Sequence, residues 1–456
     1  MKDLTYTATI EAVKQNLPCD NPRVYVATFG CQQNEADSEK LRGMAHEMGY
    51  TDATAPEDAD LILINTCAIR EHAEQKVLSY VGTLKHLREE KPHLLIGICG
   101  CMTAQTHRID MIRTRYGHVA FTLDPASISQ FPMVLLQALQ GGKRAFLMGD
   151  ERPPVIEGLP IHRQNNIRAW VSIMYGCNNY CSYCIVPYVR GRERSRQSQD
   201  ILRDVQDLID SGCKDITLLG QNVNSYRGDV DFATLLDKIA SLDGDFLVRF
   251  MTSHPKDVPD ALISVMAKHR DKIAPHFHLP LQSGSNDILR RMNRKYTREG
   301  YLAIVEKLRA AIPDIALSTD IIIGFPGETD EDFAATMDII RGVRFDMIYS
   351  FLYSPRRGTP AATMPDQVGK AERAARMEEL LRAQTEIALA LSLESVGKTL
   401  CVLADGKAKT EGYITGRTPG NRLVHFAATD EVIGTFCQVK IERAEPFALW
   451  GSLITD

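Results

Sequence analysis

Gly176-Cys177-Asn178-Asn179-Tyr180-Cys181-Ser182-Tyr183-Cys184 is the most informative stretch of this chain. Its cysteines are spaced C-x₃-C-x₂-C, so one short loop can present three thiolates to three irons of a 4Fe–4S cube. The fourth iron then has no protein ligand and is open to a substrate or cofactor. Structural zinc prefers four ligands, commonly as two spaced pairs, and no fourth cysteine or histidine lies close by in the sequence. The spacing therefore favours an iron–sulfur cluster over zinc or a chance grouping.

Strand and helix patterns alternate regularly from Ile167 onward. The candidate strands are Ala169–Met174, Asp215–Leu219, Leu247–Thr252, His276–Leu281, Ile315–Ile323 and Asp346–Tyr353. Amphipathic helical patterns, such as Gln199–Ser211 and Asn286–Ala311, separate these strands. Six β/α units in series predict an incomplete barrel of the TIM kind. The pattern leaves open whether the sheet closes.

A second alternating series precedes this one. Its candidate strands are Arg23–Gly30, Ala59–Asn65 and Leu94–Cys99, and its candidate helices are Ser38–Gly49 and Glu71–Glu90. Such alternation predicts a parallel sheet covered by helices. Near the other end, Lys370–Glu394 has a strongly helical composition, and short alternating runs follow Gly397. Those runs predict a small antiparallel β-barrel of the size that binds oligonucleotides.

The predicted fold class is therefore α/β, with a parallel α/β domain, a partial (β/α)6 TIM-like barrel and a small antiparallel β-barrel. We place a tail at residues 1–21, the first domain at 22–140, a linker at 141–162, the barrel at 163–393 and the last domain at 394–456. A chain of 456 residues is too long for a single hydrophobic core, which agrees with several domains.

The composition is that of an ordinary soluble protein, with 44% hydrophobic and 24% charged residues. No apolar run approaches the ~20 residues that span a bilayer, and Met1–Asn21 has no signal-peptide core. We therefore expect a cytoplasmic protein without membrane contact, whose 11 cysteines are thiols or metal ligands rather than disulfides. A net charge of −5 does not exclude nucleic acid, because a local basic stripe is sufficient.

Three further cysteines, Cys31, Cys67 and Cys101, each come just after a predicted strand of the first domain. The carboxyl ends of parallel strands form the ligand crevice of an α/β sheet, so these thiols can converge although they are far apart in sequence. Buried cysteines are also common core residues. Cys99 competes with Cys101, because alternation along a strand aims both side chains at the same face. The other cysteines lack a matching set and are interpreted as structural: Cys19, Cys213, Cys401 and Cys437.

The cysteine loop, with the aromatic Tyr183 before its last cysteine, resembles the radical S-adenosylmethionine (SAM) superfamily. The resemblance implies that Cys177, Cys181 and Cys184 hold a 4Fe–4S cluster whose open iron is chelated by SAM. Electron transfer from the cluster then cleaves SAM to methionine and a 5′-deoxyadenosyl radical. Tyr183 is implied to contact the adenine end of SAM.

Gly30-Cys31-Gln32-Gln33-Asn34, Asn65-Thr66-Cys67-Ala68-Ile69-Arg70 and Gly100-Cys101 resemble the three cluster motifs of the methylthiotransferase N-terminal domain. The resemblance implies a second 4Fe–4S cluster on Cys31, Cys67 and Cys101, whose open iron accepts the sulfur to be inserted. Cys101 is chosen over Cys99 from its Gly-Cys context. The family commonly has Met or Leu where this chain has Gln33, which leaves the cysteine intact. The β module after residue 393 is TRAM-like, so the resemblance covers nearly the whole chain.

Members of this family differ in target: isopentenylated adenosine in tRNA, threonylcarbamoyl-adenosine in tRNA, or an aspartate of a ribosomal protein. Asn178 and Tyr180 stand where the ribosomal-protein group tends to have Asp and Arg. Leu218–Tyr226, Val186–Gly191 and His278–Ser285 agree with the isopentenyladenosine group. The resemblance therefore implies methylthiolation of C2 of N6-isopentenyladenosine at position 37, with the other two targets as alternatives.

The implied cofactors are two 4Fe–4S clusters and SAM, of which a second molecule supplies the methyl group. The implied partners are tRNA carrying isopentenyladenosine, a flavodoxin-like or ferredoxin-like electron donor, and a sulfur donor or cluster-assembly proteins. We expect a monomer. A colourless zinc-containing RNA-binding protein is the alternative from another class. A redox protein that uses its clusters only for electron transfer would leave the barrel and the RNA-binding module without a purpose.

Gln221 and Ser283 follow the second and fourth barrel strands and, with Glu328 after the fifth, are candidate SAM contacts beside Tyr183. Glu328 can equally cap the helix that begins near Asp330. A basic run after the cysteine loop is a candidate for tRNA phosphate contacts or a solvated charged face: Arg190, Arg192, Arg194 and Arg196. The last domain adds further candidate RNA contacts: Lys398, Lys407, Lys409, Arg417 and Arg422.

Overall fold

The computed structural model describes residues 4–68, 71–149 and 155–454. The chain forms two compact units. The N-terminal unit comprises Met1–Gln164, Met174–Tyr180 and Cys184–Arg196, and the C-terminal unit comprises Asn165–Ile173, Cys181–Tyr183 and Gln197–Asp456. Among the described residues, no helix is both long enough and apolar enough to cross a bilayer.

The first part of the chain alternates strands and helices. Its strands are β1 (Arg23–Phe29), β2 (Thr51–Asp52), β3 (Leu61–Thr66), β4 (Leu95–Gly100), β5 (Phe121–Leu123) and β6 (Ala145–Leu147). Its helices are α1 (Leu4–Gln15), α2 (Gln32–Glu47), α3 (Glu71–Thr83), α4 (Lys85–Glu90), α5 (Thr106–Arg115) and α6 (Phe131–Leu139). The strands form one parallel sheet in the order β2-β1-β3-β4-β5-β6.

Both faces of this sheet are buried. In β3, Leu61 and Leu63 belong to one apolar core, and Ile62 and Ile64 belong to another on the opposite face. Such a strand has an almost continuous apolar sequence because helices cover both sides of a parallel sheet. The predicted parallel α/β arrangement is therefore confirmed.

Three details differ from the sequence patterns. The helix expected over Glu71–Glu90 is interrupted, because the Leu84 N–H bonds to Val81 O three residues back, and α4 then begins at Lys85. Strand β6 lies inside the segment we assigned to a linker, and α1 lies inside the segment we assigned to a tail. A three-residue strand is too short to show a period, which is why the sequence did not reveal β6.

The middle part of the chain carries the barrel elements. Its strands are β7 (Arg168–Ser172), β8 (Met174–Tyr175), β9 (Arg194–Ser195), β10 (Asp215–Leu219), β11 (Leu247–Phe250), β12 (His276–His278), β13 (Ala316–Ile323) and β14 (Met347–Leu352). Its helices are α7 (Val186–Arg190), α8 (Ser198–Asp210), α9 (Phe232–Ala240), α10 (Asp260–Lys268), α11 (Asn286–Arg291), α12 (Arg298–Ala311) and α13 (Asp330–Val343). Strands β8 and β9 form a short antiparallel pair within the N-terminal unit.

Six parallel strands form the partial barrel of the C-terminal unit. They make two three-stranded sheets, β11-β10-β7 and β12-β13-β14, which a single bridge between Val248 and Ile273 connects. Within the described residues no ladder joins β14 to β7, so the sheet stays open there. The helix expected over Asn286–Ala311 is two helices, because Asn293 adopts a left-handed conformation and Thr297 caps the start of α12.

The last part contains α14 (Lys370–Leu393) and five strands. These strands are β15 (Thr399–Lys407), β16 (Tyr413–Arg417), β17 (Leu423–Ala427), β18 (Phe436–Glu445) and β19 (Ala448–Leu453). They close into a barrel in the order β15-β16-β17-β19-β18 around an apolar core that includes Phe426 and Val439. The predicted small β-barrel is confirmed, with the additional strand β19, which pairs in parallel with β17.

Candidate iron–sulfur and cofactor sites

Cys31, Cys67 and Cys101 lie at one edge of the parallel sheet, and we call this group the sheet-edge site. Strands β1, β3 and β4 are neighbours, and each cysteine follows the last residue of one of them by one or two positions. Cys67 is hydrogen-bonded to Cys31, and Cys101 is close enough to interact electrostatically with Cys31. The structure therefore brings the three predicted thiols together.

Two glycines make this convergence possible. A Cβ added to Gly30 would lie 2.4 Å from Asn34 Oδ1 and 3.0 Å from Cys67 Cβ. Gly100 has φ of +95°, and its Cβ would lie 2.4 Å from Asn65 Oδ1. Only glycine fits both the space and the backbone conformation at Gly100. The Gly-Cys pairs of the sequence thus reflect close packing at the strand ends.

A buried amide network holds the strand ends in place. The side chain of Asn34 accepts from the Cys31 N–H (3.3 Å) and donates to Asn65 Oδ1 (3.0 Å) and Thr66 O (3.1 Å). Asn65 in turn donates to Asn34 O (2.8 Å) and Ser38 Oγ (3.0 Å). Asn34 and Asn65 are both fully buried. Both asparagines lie inside the cysteine motifs, but the motifs alone do not predict this network.

The thiols of the sheet-edge site differ in acidity. The pKa of Cys31 is lowered to about 6, chiefly by the hydrogen bond from Cys67. Burial acts in the opposite direction, and the positive charge of Arg190 lowers the pKa further. Burial raises the pKa of Cys101, and the neighbouring Arg190 partly offsets that rise. Thiolates are the form that binds metal, so a site with one acidic thiol and a nearby cation fits an iron–sulfur cluster.

Cys99 is separated from this group although it is only two residues from Cys101. Cys99 packs in the apolar core with Leu61, Leu123 and their neighbours, and burial raises its pKa to about 12. The chain turns at Gly100, and Cys101 begins a short 3-10 helix that ends at Ala104. The turn therefore directs Cys101, and not Cys99, to the other thiols.

Arg190 lies inside the N-terminal unit beside the sheet-edge site. Its Nε donates to Cys101 Sγ (3.1 Å), and its Nη2 donates to Asp37 Oδ2 (2.9 Å). Only 7% of the residue is exposed. This burial argues against the tRNA phosphate contact that we predicted for Arg190 from the basic run, because the guanidinium is already engaged within the protein.

The other three arginines of the run differ in exposure. Arg192 is exposed, and Arg194 is half-buried with its guanidinium near the ring of Tyr175. Arg196 is buried, and its guanidinium pairs with both carboxylate oxygens of Glu157. Burial thus argues against a direct phosphate contact for Arg196 as well, and an RNA role stays a prediction for Arg192 and Arg194.

Cys177, Cys181 and Cys184, here called the loop triplet, lie between β8 and α7. In the N-terminal unit, the Cys177 N–H donates to Gly191 O (3.1 Å). Gly176 has φ of +75°, and a Cβ there would lie 2.1 Å from Arg192 O. Asn178 and Glu193 exchange hydrogen bonds, with 3.1 Å between Asn178 N and Glu193 Oε1. These contacts fix the start of the loop.

In the C-terminal unit, an arginine far along the chain contacts Cys181. Arg294 Nη1 donates to Cys181 Sγ (3.3 Å), and its Nη2 donates to Pro280 O (3.2 Å). The Tyr296 hydroxyl accepts from Arg294 Nε (3.1 Å) and donates to Leu281 O (2.7 Å). Arg294 and Tyr296 were not predicted from the sequence, because no fixed spacing relates them to the cysteines.

Ser182 and Tyr183 anchor the middle of the loop to α11. The Ser182 N–H donates to Met292 O (3.0 Å), and its hydroxyl donates to Arg291 O (2.9 Å). Tyr183 packs against an apolar cluster that includes Met292 and Phe325. The half-buried ring of Tyr183 is thus held in place, and its predicted contact with the adenine end of SAM stays a prediction.

The remaining SAM candidates have different environments. Gln221 follows β10 and is half-buried. Ser283 is fully buried, and its hydroxyl accepts from the Ser285 N–H (3.2 Å). A SAM contact would therefore require a change that exposes this side chain. Glu328 is buried and accepts from the Gly324 N–H (2.8 Å) and Arg376 Nη1 (2.9 Å).

Glu328 does not cap the helix that follows it. Thr329 is the N-cap of α13 and forms a capping box with Asp332, so the capping alternative for Glu328 is wrong. Burial raises the pKa of Glu328 to about 7, although the Gly324 N–H and Arg376 act in the opposite direction. A SAM contact by Glu328 or Ser283 stays a prediction, and the contacts of both residues are internal.

The basic residues of the last domain also differ in exposure, like the arginines that follow the cysteine loop. Lys398, Lys407 and Lys409 are exposed. Arg422 instead donates to Leu391 O (2.8 Å) and pairs with Asp346 Oδ1 (2.7 Å) inside the C-terminal unit. Arg417 is half-buried, and burial lowers its pKa. The exposed lysines are therefore the better candidates for RNA contacts.

Three segments of the chain match known families. Residues 23–123 match the family described as Uncharacterized protein family UPF0004, residues 171–340 match the Radical SAM superfamily, and residues 394–454 match the TRAM domain. Among solved structures, the fold resembles that of TsrM from Kitasatospora setae, a radical S-adenosylmethionine methyltransferase with cobalamin and a [4Fe-4S] cluster bound. The TM-score is 0.57 at 13% sequence identity, over 75% of this chain and 77% of that one.

Relatives with closely similar sequences align along nearly the whole chain. The tRNA-2-methylthio-N(6)-dimethylallyladenosine synthase of Thermoanaerobacter sp. (strain X514) is 47% identical over 94% of this chain and 92% of that protein. The protein of the same name from Acetivibrio thermocellus is 46% identical over 100% of this chain and 94% of its own length.

The fold, the cysteine motifs and these matches define a radical SAM methylthiotransferase, an enzyme that uses SAM and an iron–sulfur cluster. Within that class, the chain belongs to the tRNA-2-methylthio-N(6)-dimethylallyladenosine synthase family.

Proposed function

We propose that this enzyme adds a methylthio group to C2 of N6-isopentenyladenosine at position 37 of tRNA. In the proposed reaction the C2–H bond is replaced by a C2–S bond, and the sulfur receives a methyl group from a second SAM. The names of the 46–47% identical relatives support this target. The observation that carries sulfur insertion is the convergence of Cys31, Cys67 and Cys101 in a chain that also has the loop triplet.

The residues of the sheet-edge site fit a second 4Fe–4S cluster. Three thiols meet at one sheet edge, and the Arg190 guanidinium supplies a positive charge beside Cys101. We propose Cys31, Cys67 and Cys101 as the ligands. The Asn34–Asn65 network holds the backbone of the strand ends, so the three sulfurs keep their spacing without a covalent link between the strands.

The loop triplet fits the cluster that binds SAM. Three cysteines on one loop leave one iron of a cube without a protein ligand. When bound, the clusters and SAM supply the radical that activates C2 and the sulfur and methyl group that replace its hydrogen. The protein positions these groups: Arg294 donates to Cys181, and Ser182 fixes the loop against α11.

The tRNA must present its adenine outside the stacked loop, because protein reaches base atoms most easily on extruded or single-stranded nucleotides. The exposed Arg192 and the exposed lysines Lys398, Lys407 and Lys409 are the proposed backbone contacts. Their charges neutralise phosphates, so binding should weaken as the salt concentration rises. We further propose a flavodoxin-like or ferredoxin-like electron donor, a separate sulfur donor, and a monomeric enzyme.

The experiment is mass spectrometry of tRNA nucleosides after anaerobic reaction of reconstituted protein with SAM, reductant, sulfide and isopentenylated tRNA. We expect 2-methylthio-isopentenyladenosine from the native chain and none from Cys181→Ala or Cys67→Ala. Cys19→Ala is the matched control, because Cys19 is exposed and lies outside both cysteine groups, and it should retain full activity.

Two further substrates separate the alternatives. Parallel reactions contain tRNA with threonylcarbamoyl-adenosine, or the ribosomal protein that carries the target aspartate. Modification of either in place of isopentenylated tRNA would overturn the proposed target while leaving the class of enzyme intact. SAM cleavage without methylthiolation of any of the three substrates would overturn sulfur insertion itself.

A further inference from the structure

Helix α7 connects the loop triplet in sequence to the sheet-edge site in space. It starts at Val186, two residues after Cys184, and ends at Arg190. Ile185 and Val189 pack in an apolar cluster with Ala68 and Cys101. All of these residues belong to the N-terminal unit. The segment that follows the last cysteine of the loop triplet is therefore built onto the sheet-edge site.

Arg190, the last residue of α7, makes the polar contacts between this helix and the sheet-edge site. Its guanidinium bridges Cys101 Sγ (3.1 Å) and Asp37 Oδ2 (2.9 Å), and Gln33 Nε2 donates to the other carboxylate oxygen of Asp37 (3.4 Å). Arg190, Asp37 and Gln33 are all at least nine-tenths buried. Such a desolvated ion pair fixes the direction of the guanidinium, because its other orientations would leave a buried carboxylate uncompensated.

We propose that Arg190 is a positioning residue that raises the reduction potential of the cluster at the sheet-edge site. This inference rests on the proposed assignment of that cluster to Cys31, Cys67 and Cys101. Reduction adds one electron and no proton to the cluster. A hydrogen bond to a ligand sulfur and a nearby positive charge both favour the more negative, reduced state. Arg190 supplies both effects at Cys101.

The measurement is a redox titration monitored by electron paramagnetic resonance. It uses the full-length chain with Cys177, Cys181 and Cys184 changed to Ala, so that only the sheet-edge cluster contributes to the signal. Iron and sulfide are first counted in each reconstituted protein. Arg190→Met is compared with Arg190→Lys, which keeps a charge but cannot bridge Cys101 and Asp37 in the same fork geometry.

We expect Arg190→Met to lower the potential. At the potential where the parent protein is half reduced, the ratio of reduced to oxidised cluster should fall about tenfold, which corresponds to ~59 mV for one electron. Arg190→Lys should shift it less. Arg192→Met is the matched control, because Arg192 lies two residues away and is exposed, and it should leave the potential unchanged.

Three other outcomes are decisive. A fully loaded Arg190→Met protein with the parent potential would overturn the inference and leave Arg190 a purely structural residue. If Arg190→Met loads poorly, the double variant with Asp37→Asn removes the unpaired buried carboxylate. It is compared with Asp37→Asn alone, so that both proteins lack the carboxylate, and equal potentials in the two would overturn the inference too. Absence of any cluster in the parent triple variant would instead overturn the proposed second cluster, and the inference with it.

Discussion

The sheet-edge site and the loop triplet gather the same number of cysteines by different means. Cys31, Cys67 and Cys101 come from three neighbouring parallel strands, and the sheet itself brings them together. Cys177, Cys181 and Cys184 occupy one loop, so the chain needs no other element to place them near one another. Buried amides stabilise the first arrangement, whereas backbone contacts and an exposed amide–carboxylate pair fix the start of the second.

Two features nevertheless recur. A glycine with positive φ precedes a cysteine in each group, Gly100 before Cys101 and Gly176 before Cys177. An arginine donates to one sulfur in each group, Arg190 to Cys101 and Arg294 to Cys181. The comparison teaches that the immediate surroundings of the thiols are alike although their scaffolds are unrelated. Substitutions in one group at a time can therefore test whether the two scaffolds act independently.

The largest expected effect concerns iron content. Changing Cys31, Cys67 and Cys101 together to Ser should remove about four irons per chain, because each 4Fe–4S cluster holds that number. SAM cleavage should persist in that protein and should be lost when the loop triplet is changed instead. Iron and sulfide analysis with an assay of SAM cleavage provides the measurement.

Cys99→Ser is the control for this experiment, because Cys99 is buried in the apolar core apart from the sheet-edge thiols. It should keep its iron. If Cys99→Ser loses the cluster and Cys101→Ser retains it, our choice between the two cysteines is wrong.

The next effect concerns the glycines. Gly100→Ala should lower the free energy of unfolding by about 3 kcal/mol, since alanine is strained at positive φ and its Cβ would meet Asn65 Oδ1 and Thr66 O. Gly176→Ala should have a similar cost, because its Cβ would meet Arg192 O. Each variant should release iron chiefly from its own cysteine group. Iron analysis together with the assay of SAM cleavage separates the two groups, and thermal unfolding follows the stability.

Gly342→Ala in α13 is the matched control, because nothing lies within 4 Å of the added Cβ. Alanine is the better helix former there, so stability should stay unchanged or rise by up to about 1 kcal/mol. If Gly100→Ala or Gly176→Ala lost equal amounts of iron from both cysteine groups, the two groups would not be held by independent parts of the structure.

The two groups also differ in what the sequence could reveal. Strand Asp215–Leu219 was predicted with its observed bounds, because its signal is local. The loop triplet is a candidate cluster site on the local spacing of its cysteines. Convergence of the sheet-edge thiols required a parallel topology that only the alternation of strands and helices suggested. Asn34 and Asn65 gave no signal of their own, since a buried polar network depends on tertiary packing.

Arginines show the limits of sequence reasoning most clearly. Arg190, Arg192, Arg194 and Arg196 form one basic run, yet Arg190 and Arg196 turn inward and Arg192 outward. The partners that decide this, Asp37 and Glu157, are distant in sequence. Arg294 lies 113 residues from Cys181, which excludes its recognition by spacing. Local patterns therefore indicate the candidate ligands but not the groups that surround them.

A third prediction compares the asparagines of the two groups. Asn34→Ala should lower the free energy of unfolding by about 3 kcal/mol, because it removes the buried side-chain bonds of Asn34 to the Cys31 N–H, Asn65 Oδ1 and Thr66 O. Asn178→Ala should cost less than about 1 kcal/mol, because Asn178 is exposed and water replaces its bonds to Glu193. Urea unfolding of the metal-free chains measures both. If the two variants lost similar free energies of unfolding, the buried hydrogen bonds of Asn34 would contribute no more to stability than the exposed ones of Asn178.

The smallest expected effect is the pH dependence of stability, which involves one buried glutamate in each of the two units. Burial raises the pKa of Glu39 in the N-terminal unit and of Glu328 in the C-terminal unit to about 7, from the ordinary 4.5. Between those values the folded protein holds a proton that the unfolded chain has lost, so stability falls as the pH rises through this window and is level above it.

Glu328→Gln removes this dependence, so the stability of the variant relative to the native chain should rise by about 1.5 kcal/mol between pH 5.5 and 7. Glu39→Gln should have the same sign but a smaller size, because the Glu39 side chain is 15% exposed whereas that of Glu328 is 1% exposed. Glu372→Gln, which removes a half-exposed partner of Arg376, should leave the pH dependence unchanged. A larger effect at Glu39 would show that water penetrates the C-terminal unit more than the N-terminal one.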